Sequence, residues 1–282
     1  MENAIPRSRK ISLKLVIILI LAVGIFFLFI THIHPSTPVS EPAETTAPEE
    51  VSTVPETPVE EIASSAEITT PEEPPTAKVV YLTFDDGPGP YTAKLLDILK
   101  KYNVKATFFV TGRGDDALIK REYDEGHTIA LHTFTHDYAS VYSSISNFFT
   151  DLYEVQNRVK NITGETSMLI RFPGGSSNTV SASYDGGTHI MSQLVNEVTA
   201  RGFTYFDWNV SSGDGGAPLS PDDVYDNVTN ALKPEYSVVL QHDVKEYSVD
   251  AVERIINYGL SSGYTFSRLD SSSFTAHHGV TN

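Results

Sequence analysis

Short apolar runs alternate with helix-like segments from Lys78 to the end of the chain, and this alternation restricts the possible folds most strongly. The apolar runs predict seven strands, at Val79–Phe84, Lys105–Thr111, Thr128–His132, Ser167–Phe172, Phe203–Phe206, Ser237–Gln241 and Thr265–Leu269. The segments between them predict helices at Tyr91–Tyr102, Asp115–Glu125, Ser144–Thr163, Thr188–Arg201, Pro221–Leu232 and Ser248–Ser262. Repeated strand–helix units predict an α/β domain with a mostly parallel sheet, either open or closed.

Capping signals support several of these helices. Ser220 is a suitable N-cap, and Pro221 with the two acidic residues after it is typical of a first helical turn. Gly126, Gly202 and Gly263 each follow a predicted helix, where glycine commonly ends a helix in the left-handed conformation.

Polar residues follow the predicted strands at the point where each strand ends. In a parallel barrel the carboxyl ends of the strands share one face, so side chains far apart in sequence can meet there. The residues concerned are Asp85, Asp86, His132, His136, Arg171, Asp207, His242 and Asp243. This gathering favours a distorted (β/α) barrel of about seven strands over an open sheet.

The first predicted strand leads directly into Thr83-Phe84-Asp85-Asp86-Gly87-Pro88. Neighbouring side chains on a strand point to opposite faces, so Asp85 and Asp86 cannot do the same job unless the backbone bends there. Glycine and proline permit such a bend. Taken alone, the stretch is also what an acidic, solvated turn after a strand would look like.

Two histidines four residues apart, His132 and His136, can reach one cation from a helix or a tight loop. Such a spacing is also found between two ordinary histidines. With Asp86 the pair would make a His-His-Asp site, and three protein ligands with open positions are typical of catalytic metal centres. The chain has no cysteine, so any metal must be held by His and carboxylate ligands, which suit zinc and other first-row divalent ions.

Five motifs occur in order: Thr-Phe-Asp-Asp-Gly-Pro at 83–88, His-Thr-Phe-Thr-His at 132–136, Arg-Phe-Pro-Gly-Gly at 171–175, Asp-Trp at 207–208 and Leu-Gln-His at 240–242. With these motifs, the segment from about Val79 to Leu269 resembles the polysaccharide deacetylases of the NodB-homology class, carbohydrate esterase family 4. The resemblance implies a NodB-like deacetylase domain over residues 78–275, followed by a C-terminal tail over residues 276–282.

The resemblance implies that the first two motifs bind a metal ion and activate a water molecule, and that Arg171 of the third motif supports the base. Asp86, His132 and His136 would bind one divalent ion, Zn²⁺ by default, with Co²⁺, Mn²⁺ or Ni²⁺ as alternatives. Asp85 would be the general base that takes a proton from the water, and Arg171 would orient Asp85 by charge pairing.

The resemblance assigns the remaining motif residues to the acetyl group and the departing amine. His242 would be the general acid that protonates the sugar amine, and Asp207 would pair with His242 and keep it charged. The backbone N–H of Gly174 would help to bind the oxyanion. Trp208 and Leu240 would form an apolar wall for the acetyl methyl group.

One position departs from the family pattern, because Gly174 stands where the third motif usually has Tyr or Phe, and an aromatic face near the sugar would be lost. Four aromatic residues follow the second motif: Tyr138, Tyr142, Phe148 and Phe149. They could line the groove, but we expect them on the inner face of the predicted 144–163 helix. The polar loops 176–179 and 211–214 are candidate sugar contacts.

Residues 11–31 are almost purely apolar and long enough to cross a bilayer. Arg7, Arg9, Lys10 and Lys14 lie at the N-terminal end of this run, so the positive-inside rule predicts a cytoplasmic tail over residues 1–10 and an extracellular catalytic domain. A cleaved signal peptide is the alternative, but its apolar region is usually only ~7–15 residues long. We therefore expect an uncleaved signal-anchor that contacts the lipid bilayer.

The segment over residues 32–77 is rich in Pro, Glu, Thr and Ser, with few large apolar side chains. It cannot bury enough apolar surface to offset its ordering entropy, so it predicts a disordered linker. The formal net charge of −16 provides no basic footprint for nucleic acid, and we expect no nucleic-acid partner.

Together these features predict a membrane-anchored, metal-dependent enzyme that removes acetyl groups from N-acetylglucosamine units of an extracellular polymer. Peptidoglycan is the first candidate, because a short stalk would hold the domain near its own cell's wall. Chitin, xylan or a biofilm polysaccharide are alternative substrates, and a catalytically silent wall-binding domain is the rival from another class. The resemblance to bacterial wall enzymes implies the cell membrane of a bacterium of the Gram-positive type.

Overall fold

The computed structural model describes residues 78–282. The predicted cytoplasmic tail, signal-anchor and linker, over residues 1–77, lie outside the described residues. Within 78–282, no helix combines the length and the apolar character needed to cross a membrane.

Strands and helices alternate through the described residues. The strands are β1 (Val79–Asp85), β2 (Thr107–Val110), β3 (Thr128–Leu131), β4 (Leu169–Ile170), β5 (Thr204–Tyr205), β6 (Val210–Ser211), β7 (Tyr236–His242) and β8 (Thr265–Ser267). The helices are α1 (Thr92–Lys101), α2 (Asp116–Asp124), α3 (Tyr138–Val141), α4 (Ile145–Thr163), α5 (Ile190–Ala200), α6 (Pro221–Thr229) and α7 (Glu246–Ser261), with a 3₁₀ turn at Val180–Ser183. Every predicted strand and helix is present, whereas β6 and α3 are elements that the sequence analysis did not predict.

The predicted capping signals are confirmed. Ser220 and Asp223 form a reciprocal capping box at the start of α6, with Pro221 in the first turn. The glycines after α2, α5 and α7 have φ angles of +84°, +83° and +78° at Gly126, Gly202 and Gly263.

The strands form one parallel sheet in the order β5-β4-β3-β2-β1-β7-β6. β1 lies at the centre: β7 pairs along one edge, while β8 and β2 share the other edge at residues 79–81 and 83–85. β5 and β6 stand at opposite ends of this order, yet only residues 206–209 join them. The five Cα–Cα steps from Tyr205 to Val210 span at most about 18 Å, so the sheet must curl to bring its two ends together. This curvature is consistent with the predicted distorted (β/α) barrel.

The two faces of the curled sheet form two hydrophobic clusters. Val80, Leu82 and Phe84 belong to the cluster between the sheet and the helices. Tyr81 belongs to a second cluster inside the barrel, with residues from β2, β3, β4 and β7. Side chains alternate along a strand, so Asp85, four residues after Tyr81, projects towards the inside of the barrel at the end of β1.

The last residues of the chain pack against the segment that joins β5 and β6. The Asp207 N–H donates to the Ala276 carbonyl at 2.8 Å, and the His277 ring stacks on Tyr205 with ring centroids 3.9 Å apart. The Asn282 carbonyl accepts a hydrogen bond from the Ser192 N–H at 2.8 Å. Residues beyond the predicted boundary at 275 therefore continue to contact the domain.

Candidate active site

The backbone bends directly after β1 and so separates the two neighbouring acids. Asp86 has φ of +73°, in the left-handed region that residues other than glycine seldom adopt. Gly87 lies against the side chain of Asp243, just beyond the end of β7, and a Cβ on Gly87 would lie 2.3 Å from Asp243 Oδ2. Only glycine leaves room for this close approach, and the bend directs Asp85 and Asp86 towards different partners.

Asp85 is buried, with 3% of its surface exposed, and its Oδ1 accepts a hydrogen bond from Arg171 Nη1 at 2.8 Å. Arg171 is also buried and donates to Thr83 Oγ1 and to the carbonyls of residues 206–207, at 2.7 to 3.0 Å. Because the guanidinium is held by four acceptors, it fixes one oxygen of Asp85. The other oxygen, Oδ2, lies 3.7 Å from His132 Nε2. The contact expected between Arg171 and Asp85 is therefore present.

Replacing Arg171 by Met should destabilise the domain by about 3–5 kcal/mol, because it leaves the buried Asp85 charge without its partner. Urea denaturation of the variant and the parent measures this difference in the free energy of unfolding. Arg201→Met is the matched control: Arg201 pairs with Glu197 at the surface, so its loss should cost less than about 1 kcal/mol. Equal losses in the free energy of unfolding would contradict the claim that Arg171 stabilises the buried Asp85 carboxylate.

The second motif brings two imidazoles to Asp86. His132 Nε2 and His136 Nε2 lie 3.7 Å and 3.3 Å from Asp86 Oδ1, and one ligand atom from each of the three residues lies within 4.8 Å of the others. His132 Nδ1 lies 2.8 Å from the Arg171 carbonyl, which can only accept. Nδ1 therefore carries the hydrogen, and Nε2 has a lone pair available for a cation.

The three residues fit a divalent metal ion. Asp86 Oδ1 is buried and has no hydrogen-bond partner among the described residues, although it lies beside two imidazole nitrogens. A buried carboxylate oxygen without a donor is costly unless a cation neutralises it. One carboxylate and two histidines are also ligand types that zinc and other first-row divalent ions accept.

Asp151 on α4 holds the loop between the two histidines. Its carboxylate accepts hydrogen bonds from the backbone N–H groups of Phe134 and Thr135 and from the Thr135 hydroxyl, at 2.5 to 3.3 Å. Thr133 and His136 both have left-handed φ angles, +63° and +53°. Backbone strain of this kind persists only where the surroundings enforce it and is concentrated at functional sites. The histidines thus converge from a strained loop rather than from a helix.

His242 pairs with Asp214, and the prediction that it pairs with Asp207 is wrong. Asp214 Oδ1 lies 2.8 Å from His242 Nδ1, and Oδ2 accepts a hydrogen bond from the His242 backbone N–H at 2.8 Å. Asp207 is fully buried and accepts instead from the N–H and hydroxyl of Ser176 and from the His278 N–H. Asp207 therefore joins the third motif to the C-terminal segment.

The difference follows from the order of the strands. β6 pairs with β7, with Val210 opposite Val239 and Ser211 opposite Leu240. The loop after β6 therefore lies beside the end of β7, where His242 is found, whereas Asp207 follows β5. No apolar run in the sequence marks the two-residue strand β6, and Asp214 is predicted only as part of the polar loop 211–214.

Asp214 keeps His242 protonated at neutral pH. Burial lowers the pKa of His242, but the hydrogen bond and charge of Asp214, helped by Asp85 and Asp86, outweigh burial and raise that pKa to about 9. Burial also opposes ionisation of Asp214, yet the contact with His242 holds the pKa of the Asp214 carboxyl below its usual range. His242 can therefore donate a proton from Nε2 to a group in the pocket.

One cavity of about 420 Å³ is lined by Asp85, Asp86 and the three histidines. Gly174, Trp208, Leu240 and four residues of the loop 211–216 also line it. The Gly174 N–H makes no hydrogen bond to another described residue and is free to bind a ligand. Trp208 packs on the third motif, because a Cβ on Gly175 would lie 3.0 Å from the indole ring. Every residue to which the resemblance assigns a role lines this cavity except Arg171 and Asp207. Asp243, also selected at a strand end, packs against Gly87 instead.

Tyr138 lines the same cavity, and the expectation that it belongs to the inner face of the following helix is wrong. Its ring meets the His136 ring edge-on, with centroids 5.6 Å apart. Phe148 and Phe149 are buried on α4, as expected, whereas Tyr142 is buried but lies at the end of α3. Tyr142 donates from its hydroxyl to the Pro173 carbonyl at 2.7 Å and so supports the third motif from below.

Comparison with known proteins identifies the class to which this fold and site belong. The family model for polysaccharide deacetylase matches residues 72–186. A peptidoglycan-N-acetylglucosamine deacetylase of Bacillus cereus is 38% identical over 198 residues, covering 67% of this chain and 68% of the relative. A peptidoglycan-N-acetylmuramic acid deacetylase of Bacillus subtilis is 31% identical over 206 residues, covering 68% of this chain and 70% of the relative. The chain belongs to the polysaccharide deacetylase family.

A solved structure supports the same conclusion. The crystal structure of the catalytic domain of a peptidoglycan N-acetylglucosamine deacetylase from Eubacterium rectale aligns with a TM-score of 0.71 and 52% identity, covering 76% of this chain and 99% of that chain. The resemblance found in the sequence is therefore confirmed, as is the prediction that the chain is a hydrolase of amide C–N bonds, a carbohydrate de-N-acetylase.

Proposed function

We propose that this chain is a metal-dependent N-deacetylase that acts on N-acetylglucosamine units of peptidoglycan. One observation carries the proposal: His132 Nε2 lies 3.7 Å from an oxygen of each acid, Asp85 Oδ2 and Asp86 Oδ1. Asp86 belongs to the His-His-Asp set, and Arg171 holds Asp85. A proton acceptor thus stands beside a set of metal ligands, as hydrolysis of an amide requires.

The first half of the reaction needs a nucleophile and a base. A divalent ion bound by Asp86, His132 and His136, with zinc as the first candidate, would polarise the acetyl carbonyl and lower the pKa of a water molecule. Asp85 Oδ2 is the base that takes the proton from the attacking water. Arg171 keeps the carboxylate in one orientation, so that the accepting oxygen faces the cavity.

The second half needs an acid at the departing nitrogen. His242, kept protonated by Asp214, donates its Nε2 proton to the amine as the C–N bond breaks, which releases acetate and a glucosamine unit. The Gly174 N–H faces the acetyl oxygen, and Trp208 with Leu240 provides an apolar wall for the methyl group.

The choice of substrate and location rests on the relatives and on the N-terminal sequence. Proteins named as peptidoglycan deacetylases recur among the relatives and the solved structures. The apolar run over residues 11–31 and the Pro- and Glu-rich segment after it suit a signal-anchor and a stalk. We propose that the chain spans the cell membrane of a Gram-positive-type bacterium once, with its N-terminus in the cytoplasm and its catalytic domain facing the wall.

An acetate-release screen tests the substrate. The full-length chain is incubated with purified peptidoglycan, chitin oligomers and acetylxylan, and the treated peptidoglycan is digested for mass spectrometry. We expect acetate from peptidoglycan and the loss of one acetyl mass from its glucosamine residues. Loss of acetyl groups from the muramic acid residues, or faster acetate release from another polymer, would contradict the proposed substrate. No acetate release from any polymer would contradict the proposed deacetylase activity.

Removal of the metal should abolish acetate release. A chelator such as dipicolinic acid, followed by desalting, should leave an inactive protein, because Asp86, His132 and His136 would lose their ion. Addition of Zn²⁺ or Co²⁺ should restore the rate. A chelator-treated, metal-free protein that retains the parent rate would contradict the metal requirement.

A further inference from the structure

Tyr138 and Gly174 are packed so closely that each restricts the other. A Cβ on Gly174 would lie 2.6 Å from the Tyr138 hydroxyl oxygen and 3.1 Å from the Cβ of Asn178. Gly174 also has φ of +76°, a conformation that glycine adopts without strain. The tyrosine hydroxyl thus occupies the space into which a side chain at position 174 would extend.

The hydroxyl group of Tyr138 is available to a ligand. It makes no hydrogen bond to another described residue, and Tyr138 lines the cavity beside Gly174. The Tyr138 ring is fixed by edge-on contacts with His136 on one side and Tyr142 on the other, with centroids 5.6 Å and 5.5 Å away. The ring is therefore held in place, while its hydroxyl group has no hydrogen-bond partner among the described residues.

The Tyr138 hydroxyl and the Gly174 N–H can reach one oxygen atom. A Cβ lies about 2.5 Å from the nitrogen of its own residue, so standard geometry places the hydroxyl oxygen within about 5 Å of the Gly174 nitrogen. Two donors at this separation can both make hydrogen bonds of about 2.9 Å to an oxygen between them. A phenol is protonated at neutral pH and can donate, as the amide does.

We propose that Tyr138 is a further catalytic residue, whose hydroxyl donates a hydrogen bond to the acetyl oxygen together with the Gly174 N–H. The hydroxyl keeps its proton throughout, and its contribution grows as negative charge develops on that oxygen. Tyr138 would thus place an aromatic residue beside Gly174, the position where the third motif usually has Tyr or Phe. This role rests on the proposed amide hydrolysis.

The test compares Tyr138→Phe with the parent in the full-length chain. Tyr184→Phe is the matched control, because Tyr184 is exposed and does not line the cavity. We expect Tyr138→Phe to lower kcat for acetate release by about 10²-fold with little change in KM, and Tyr184→Phe to leave both unchanged. A rise in KM alone would mean that the hydroxyl binds the sugar and would overturn the proposal. An active parent with an equally active Tyr138→Phe variant would overturn this role alone, whereas an inactive parent would overturn the proposed function as well.

Stability measurements test the contact independently of activity. Gly174→Ala should lower the urea midpoint of the parent strongly, because the new methyl group meets the Tyr138 hydroxyl. In the Tyr138→Phe background the same substitution should lower the midpoint less, since that oxygen is gone. Equal shifts in the two backgrounds would overturn the contact on which the proposal depends.

Discussion

Replacing Asp85 by Asn should lower kcat for acetate release by about 10²–10⁴-fold, the usual range for loss of a general base. Asparagine has nearly the same shape, and its carbonyl can still accept the hydrogen bond from Arg171. The variant therefore keeps the geometry of the site but loses the oxygen that takes the proton from water. Initial rates of acetate release from peptidoglycan, measured with saturating Zn²⁺, give the expected loss.

Asp86→Asn is the matched control, because it makes the same chemical change at the next residue. Asp86 lies with His132 and His136, so this variant should lose affinity for the metal, as isothermal titration with Zn²⁺ would measure. Asp85→Asn should bind Zn²⁺ as the parent does. Identical behaviour of the two variants would contradict the division of roles, and a parent rate in Asp85→Asn would favour a different base.

The division between these two acids could be predicted from the sequence, because its causes are local. A strand alternates its side chains, and Gly87 and Pro88 allow the chain to bend at once. The structure adds the reason why glycine is required, since the Asp243 carboxylate approaches Gly87 from the end of β7. The start of a helix at Ser220 and the ends of helices before Gly126, Gly202 and Gly263 were likewise predictable from short-range signals.

The partner of His242 could not be predicted, because its cause is the order of the strands. The resemblance implies Asp207 as the acid beside His242, and β6, with only two residues, has no apolar run to mark it in the sequence. Parallel pairing of β6 with β7 instead brings Asp214 to His242, and the two residues are 28 positions apart in sequence. Long-range pairing of this kind leaves no local pattern.

The contacts that Asp151 and Tyr138 make with the second and third motifs could not be predicted from the sequence either. Asp151 lies within α4, where an acidic residue suggests a solvated face, yet it is buried and accepts from the loop between the histidines. Tyr138 is expected, with the other aromatic residues after the second motif, on the inner face of the predicted 144–163 helix. The one sequence signal that pointed to Tyr138 was the unusual Gly174, since a missing side chain in one motif can indicate that a neighbour fills its space.

Replacing Asp214 by Asn should move the basic limb of the pH–rate profile to lower pH. In the parent, Asp214 raises the pKa of His242 to about 9, so the proton donor is present below that pH and is lost as pH rises through it. Without the carboxylate charge, only Asp85 and Asp86 oppose burial, so the pKa of His242 falls towards its ordinary value of about 6.5. At that value only about 3% of the imidazole is protonated at pH 8, so kcat at pH 8 should fall by up to about 30-fold.

The same substitution should change how stability depends on pH. The pKa of His242 is raised in the folded state, so its contribution to the free energy of unfolding is complete below about pH 6.5 and disappears as pH rises through about 9. Asp214→Asn should flatten this part of the urea-denaturation profile. Asp207→Asn is the control: Asp207 accepts from Ser176 and His278 and not from His242, so it should lower stability without moving the basic limb. A shift of the basic limb in Asp207→Asn, and none in Asp214→Asn, would restore the pairing first expected from the sequence and contradict the one described here.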